Sequence, residues 1–183
     1  MKTKTIKVFG KNLISTYHHI IMSLPSDSMS APLNSLSIEC ITNQPEKMIN
    51  GTYSIDTAKY LLSNNSGRCD VFIYHDTDNN TIGTLSVMYR GGDDIEYKIR
   101  NIDAFIYNVY TEEKYRGNGY AKEMICLLMK YLDGKSQFIN EVYLAVSTNN
   151  SSAIRAYEKA GFIKRSESSF IRILKINIPY KVL

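Results

Sequence analysis

Cysteine is scarce in this chain. Cys40, Cys69 and Cys126 are the only three in 183 residues, an odd number with no CxxC pair, which excludes a closed disulfide framework and a zinc ribbon. Long apolar runs are also missing: stretches such as Ile125–Met129 fall far short of the ~18–20 residues a membrane span needs. Met1-Lys-Thr-Lys-Thr is followed by mixed polar sequence and not by an apolar segment with a cleavage site, so no secretory leader is read. Internal repeats and low-complexity tracts are absent. The three histidines (His18, His19, His75) have no Asp or Cys partners at triad or metal spacing, so they receive no role and no metal is expected. These absences leave one cytoplasmic domain spanning residues 1–183.

Charge of one sign is only slightly in excess. Lys and Arg number 22 against 18 Asp and Glu, a net charge of +4. The basic residues are scattered, with Lys2, Lys4, Lys7 and Lys11 early and Lys164, Arg165, Lys175 and Lys181 late. Without a compact stripe or a basic–aromatic platform, nucleic acid is not an expected partner, and neither is a membrane. Apolar residues make up 44%, ample for a packed core at this length. The chain has 14 tyrosines and no tryptophan; such tyrosines usually spread through core and surface.

Periodicity supplies the elements. Leu13, Ile14, Tyr17, Ile20, Ile21 and Leu24 recur at helical spacing, which predicts a helix over Asn12–Leu24 stopped by Pro25. Ser26–Thr52 reads mostly as loop with short structured pieces, and Ser54–Leu62 as a short helix. Val71–Tyr74 and Ile82–Tyr89 form a hairpin around Asp76–Asn80, followed by extended pieces at Ile95–Ile99 and Ile102–Tyr110. A helix from Gly119 to Leu132, a strand over Glu141–Val146 and a helix over Ser151–Ala160 ending at Gly161 come next. Strands over Phe162–Arg165 and Phe170–Ile178 close the chain. Strand, helix, strand in the second half implies a parallel pair. The fold class is therefore α/β, a mixed, mostly antiparallel sheet flanked by helices.

The segment richest in chemistry is Tyr110-Thr-Glu-Glu-Lys-Tyr-Arg116-Gly117-Asn118-Gly119-Tyr120-Ala121, between a strand and a helix. Glycines there let several amides point one way at the positive helix end, which suits a phosphate. It is not a P-loop, because GxxxxGK[ST] is absent. Nor is it a dinucleotide fingerprint, because the sixth position is Lys122. On this loop alone, a ligand cradle and a plain glycine-rich helix entry both stay open. Tyr157, spaced with Ala153 and Ile154, reads equally as core packing, Asn150 as an N-cap, and Cys126 as a buried small hydrophobe.

Two motifs then carry a resemblance. Arg116-Gly-Asn-Gly119-Tyr-Ala121 matches the R/Q-x-x-G-x-G/A motif of the GNAT N-acetyltransferase superfamily. Asn150-Ser-Ser-Ala153-Ile-Arg-Ala-Tyr157-Glu-Lys-Ala-Gly161-Phe162 is similar to its second signature, and Ile82-Gly83-Thr84 resembles part of its sheet. The likeness spans Cys69–Ile178 and implies a GNAT-like fold with one parallel strand pair splayed apart. It also implies acetyl-CoA as donor and an acyltransferase acting on a small-molecule primary amine by direct transfer. Protein N-alpha or lysine acetylation, and a non-catalytic CoA-binding module, stay open as alternatives, and so does a homodimer.

Carried over by position, the amides of Arg116, Gly117, Asn118, Gly119, Tyr120 and Ala121 would hold the pyrophosphate. The backbone of Val109, Tyr110 and Thr111 would pair with the pantetheine arm. Asn150 would contact the cofactor, and Tyr157 would act as general acid while also touching it. Many members carry a glutamate eleven positions before the R/Q, where this chain has Phe105. The base is therefore unassigned, with Asp103 and Glu112 as candidates beside a water-mediated route. By the same resemblance, residues 1–66 would fall on the acceptor side and residues 69–178 would form the cofactor-binding core.

Overall fold

The computed structural model describes residues 5–8, 11–25, 36–42, 69–89, 103–134, 139–173 and 176–180. The expected helix over Ser54–Leu62, the extended piece at Ile95–Ile99 and most of the Ser26–Thr52 loop lie outside these residues. Nine strands and two α-helices are described: β1 (Thr5–Val8), β2 (Lys11–Pro25), β3 (Ser37–Cys40), β4 (Cys69–His75), β5 (Thr81–Tyr89), β6 (Asp103–Thr111), α1 (Tyr120–Asp133), β7 (Glu141–Ser147), α2 (Ser151–Lys159), β8 (Ile163–Ile173) and β9 (Ile176–Tyr180). They form one sheet in the order β3-β4-β5-β6-β7-β2-β8-β9, with β1 paired to β2. Every pairing is antiparallel except that of β6 with β7.

The expected helix over Asn12–Leu24 is a correction: the segment is strand β2, set between β7 and β8. A helical spacing of apolar residues and a strand buried on both faces are hard to tell apart by pattern alone. Consecutive Met22, Ser23 and Leu24 are all buried, at 1%, 0% and 2% exposure, as a central strand requires. The two closing strands are also redrawn, since β8 runs unbroken through Ile163–Ile173 and β9 follows it.

The hairpin of β4 and β5 forms where expected. Its turn is held by Asp76, whose carboxylate accepts from the amides of Asp78 and Asn80 at 3.0 and 2.8 Å. Helix α1 buries Met124, Ile125, Leu128, Met129 and Leu132, residues at the three- and four-residue spacing that makes one apolar stripe. That stripe and α2 pack on the face carrying Phe72, Leu85, Val87, Ala104, Ile106, Val142 and Leu144. The opposite face gathers a second cluster of Ile41, Cys69, Val71, Ile73, Met88 and Phe105, with Tyr107, Tyr143 and Ala145 against it. No helix among the described residues is long and apolar enough to cross a membrane.

Candidate active site

The site begins where the parallel ladder ends. Strands β6 and β7 pair from Asp103↔Glu141 to Ile106↔Leu144 and no further, although both strands continue. A bulge parts them. The pairing of β6 with β5 shifts register between Thr84 and Ser86, and Asn108 adopts φ 53°. Asparagine tolerates this left-handed geometry better than most residues, and an extra residue in one strand bends it locally.

Past the bulge, Glu112 donates its amide to the Ile82 carbonyl at 2.9 Å. Antiparallel strands alternate the direction of their backbone groups, so Val109 and Thr111 turn theirs away from β5, toward the gap. Tyr110, the Thr84 partner, faces β5 instead. Arg116 folds back on this strand end, with Nε donating to the Thr111 carbonyl at 3.0 Å and the guanidinium 5.5 Å from the Tyr110 ring centroid.

Gly83 keeps β5 close to β6 at this level. A Cβ there would lie 2.2 Å from the Tyr110 carbonyl oxygen and 2.9 Å from Met124 Sδ. Only glycine fits.

The chain then turns through a 3₁₀ segment, Glu113–Tyr115, into the loop at the N-terminus of α1. Gly117 and Gly119 sit at φ +83° and +84°, and a Cβ on either would meet nothing within 4 Å. Their conformation demands glycine while the space beside them is open, which is the shape of a cradle for a ligand. Among the described residues, the amides of Gly117, Asn118, Gly119, Tyr120 and Ala121 donate to no protein acceptor, whereas the Arg116 amide is taken by the Glu113 carbonyl at 3.2 Å. Five of the six amides expected to hold a pyrophosphate are thus available. Asn118 braces the loop, its Nδ2 donating to the Tyr115 carbonyl at 3.3 Å. The cradle therefore fits a polyphosphate group at the positive end of a helix.

Helix α2 enters from the far side of β7. Asn150 caps it, its side chain accepting from the Ala153 amide at 3.1 Å. At the other end, Phe162 donates its amide to the Tyr157 carbonyl and Gly161 donates to that of Glu158, both at 3.0 Å. With Gly161 at φ +97° this is a Schellman cap. Tyr157 and Phe162 are its flanking hydrophobic pair, with ring centroids 6.2 Å apart. The ring of Tyr157, 8% exposed, is therefore accounted for by packing, and any chemistry resides in its hydroxyl.

The two candidate bases separate. Asp103 is buried at the paired start of β6, six residues and roughly 20 Å of extended strand from Val109. Glu112, half-buried, follows the last residue of β6 at the open end of the gap. Phe105 occupies the position of the missing glutamate and is 4% exposed. Among the described residues, no group of three His, Cys, Asp or Glu side chains could hold a metal. Sequence reasoning missed the Asn108 bulge and the Arg116–Thr111 bond. An asparagine inside a β-branched run was the one available signal for the bulge.

Comparison with known proteins agrees with this geometry. Over 100 residues the chain is 32% identical to the SPbeta prophage-derived uncharacterized N-acetyltransferase YokL of Bacillus subtilis (strain 168), covering 52% of this chain and 49% of that one. The chain thus spans about half the length of the curated relative it matches. Its fold is similar to a GCN5-related N-acetyltransferase from Sphaerobacter thermophilus, with TM-score 0.58, 16% identity, and coverage of 91% of this chain and 53% of that chain. It is also similar to spermidine N-acetyltransferase from Vibrio cholerae, solved with CoA and spermine, with TM-score 0.50, 17% identity, and 73% and 84% coverage. The family model described as Acetyltransferase (GNAT) family matches residues 38–162, which include the strand bulge, the glycine cradle and the capped α2. By that match, and by a sheet and loop of the same plan, the chain belongs to the GNAT acetyltransferase family.

Proposed function

We propose that the protein transfers the acetyl group of acetyl-CoA directly to a primary amine of a small molecule. The observation that carries this reading is the open space beside Gly117 and Gly119, faced by five amides that have no protein acceptor among the described residues. Acetyl-CoA, when bound, supplies an activated thioester. The residues Gly117–Ala121 hold its pyrophosphate, and the backbone of Val109 and Thr111 lines its arm along the gap. A fixed N–H at Val109 is suited to stabilise charge that develops on the carbonyl oxygen. The Tyr157 hydroxyl gives a proton to the departing sulfur. Asn150 shapes the wall of the site through the N-cap of α2.

The amine must lose a proton before it attacks. Glu112 stands at the open end of the gap and Asp103 at its closed end, so Glu112 or a water leading to it takes that proton.

Release of free thiol from acetyl-CoA, followed across a panel of primary amines, tests the reading. Turnover with at least one small amine is expected. Tight acetyl-CoA binding without thiol release on any acceptor would instead indicate a binding module, the reading that Phe105 in place of a glutamate favours. Tyr157→Phe keeps the ring contact with Phe162. Turnover should fall on the order of 10²-fold, the low end for losing a positioned proton donor, and wild-type turnover would remove Tyr157 from the mechanism.

A further inference from the structure

The gap between β6 and β7 has two faces, and α1 and α2 pack on one of them. The face bearing neither helix carries Phe105, Tyr107, Tyr143 and Ala145. Phe105 and Tyr143 stand side by side across the ladder. The rings of Phe105 and Tyr107 lie 4.6 Å apart, inclined by 36°. Tyr107 follows the last paired residue, Ile106, and precedes the left-handed Asn108, so it stands where the gap opens. It is half-buried, as are Tyr143 and Ala145.

Among the described residues, the Glu141 charge on this face is compensated within it. One Glu141 carboxylate oxygen accepts from Arg165 Nη2 at 2.5 Å and from Ser23 Oγ at 3.2 Å. The other accepts from the Tyr143 hydroxyl. Arg165 Nε also donates to Ser23 Oγ at 2.7 Å, and that serine is fully buried. The tether fixes the far end of the Tyr143 ring. Asp103 shares the face but is buried at the closed end of the ladder. A polycation seeks several open carboxylates, whereas among the described residues the mouth of this gap presents the rings of Tyr107 and Tyr143 beside one carboxylate, Glu112.

We propose that Tyr107 and Tyr143, backed by the buried ring of Phe105, select the acceptor, and that it is a primary amine joined through a short alkyl chain to an aromatic ring. The ring lies against Tyr107 and Tyr143 while the chain carries the amine to Val109. This rests on the acetyl-transfer reading above and names its substrate class. Offset and edge-to-face ring contacts add to simple burial, so the ring should be recognised beyond its area, by several-fold in KM.

Thiol release is measured with 2-phenylethylamine, hexylamine and spermidine, on the wild type, Tyr107→Leu and Tyr107→Phe. The expected kcat/KM for phenylethylamine exceeds that for spermidine by about tenfold or more. Tyr107→Leu should raise the phenylethylamine KM about fivefold and the hexylamine KM less than twofold, with acetyl-CoA thermal stabilisation unchanged. Tyr107→Phe, which keeps the ring and the fold, should retain wild-type selectivity. Spermidine turned over as well as phenylethylamine, or a Tyr107→Leu effect equal for both monoamines, overturns the aromatic assignment and leaves acetyl transfer standing. Loss of selectivity in Tyr107→Phe would also overturn it. Failure of every amine to release thiol overturns both.

Discussion

Gly119→Ala separates what the glycine loop does for stability from what it does for binding. Gly119 caps α1 at φ 84° and ψ 0°, a left-handed geometry that is strained by roughly 1–2 kcal/mol in a residue bearing a Cβ. The new methyl meets no protein atom within 4 Å, so no packing clash adds to that strain. For a chain of this size a kcal/mol corresponds to about 2–4 °C in Tm, so the variant should melt roughly 2–8 °C lower. The same methyl projects into the open space faced by the amides of Gly117–Ala121 and displaces phosphate oxygens from them. Acetyl-CoA at a hundred times its Kd stabilises the wild type by about 2.7 kcal/mol, an upward shift of roughly 5–11 °C. In Gly119→Ala most of that shift should vanish, and in Gly119→Trp all of it. Differential scanning fluorimetry with and without acetyl-CoA reads both effects in one experiment. Gly134→Ala is the control, because its backbone is right-handed and its nearest neighbour would lie at an ordinary 3.6 Å. A full ligand-induced shift in Gly119→Ala would refute the cradle.

The sequence disclosed the half of the fold whose signals are local. Strand, glycine loop and helix follow one another from Asp103 to Asp133, and each carries its own cue in β-branched residues, positive-φ glycines or an apolar stripe. The second signature was legible for the same reason. Asn150 caps α2 and Tyr157, Gly161 and Phe162 close it, so the motif is largely a description of a helix with both ends sealed. Strand β2 failed because its determinants are distant. It is a strand through partners such as Leu144 and Lys164, more than a hundred residues away, and no window over residues 12–24 contains them. Its apolar residues also recur at three- and four-residue steps, and that pattern imitates a helical stripe. The gap between β6 and β7 was inferable only as part of a resemblance. Its immediate cause, the bulge at Asn108, is set by register across three strands.

Three further outcomes follow from the same contacts. Gly83→Ala should destabilise by about 3 kcal/mol or more in urea titration, since its Cβ would overlap the Tyr110 carbonyl at 2.2 Å and overpacking of this kind forces backbone shifts; a change under about 0.5 kcal/mol would mean β5 and β6 are not held this close. Native thiol titration should modify Cys40, which is exposed, well before Cys69 and Cys126, which are buried, because burial pushes the Cys69 thiol up to about 12 and the thiolate is the reactive form. Equal rates for all three would contradict the packing around Cys69. The last concerns acid. Hydrogen bonds from Tyr143, and then from Arg165 and Ser23, hold the Glu141 carboxyl below its ordinary 4.5. A depressed folded value means the unfolded chain binds this proton more readily. The stability contributed by Glu141 is therefore complete above the ordinary carboxylate range and drains away as pH falls through its folded value. Glu141→Gln removes that proton-linked part, so its stability should fall less steeply with acid than the wild type's, by up to one proton or about 1.4 kcal/mol per pH unit. Urea titrations of both proteins at matched pH values measure the two slopes. Parallel slopes would show that the Tyr143–Glu141–Arg165 tether does not hold the carboxylate in solution, and the fixed ring at the mouth of the gap would lose its anchor.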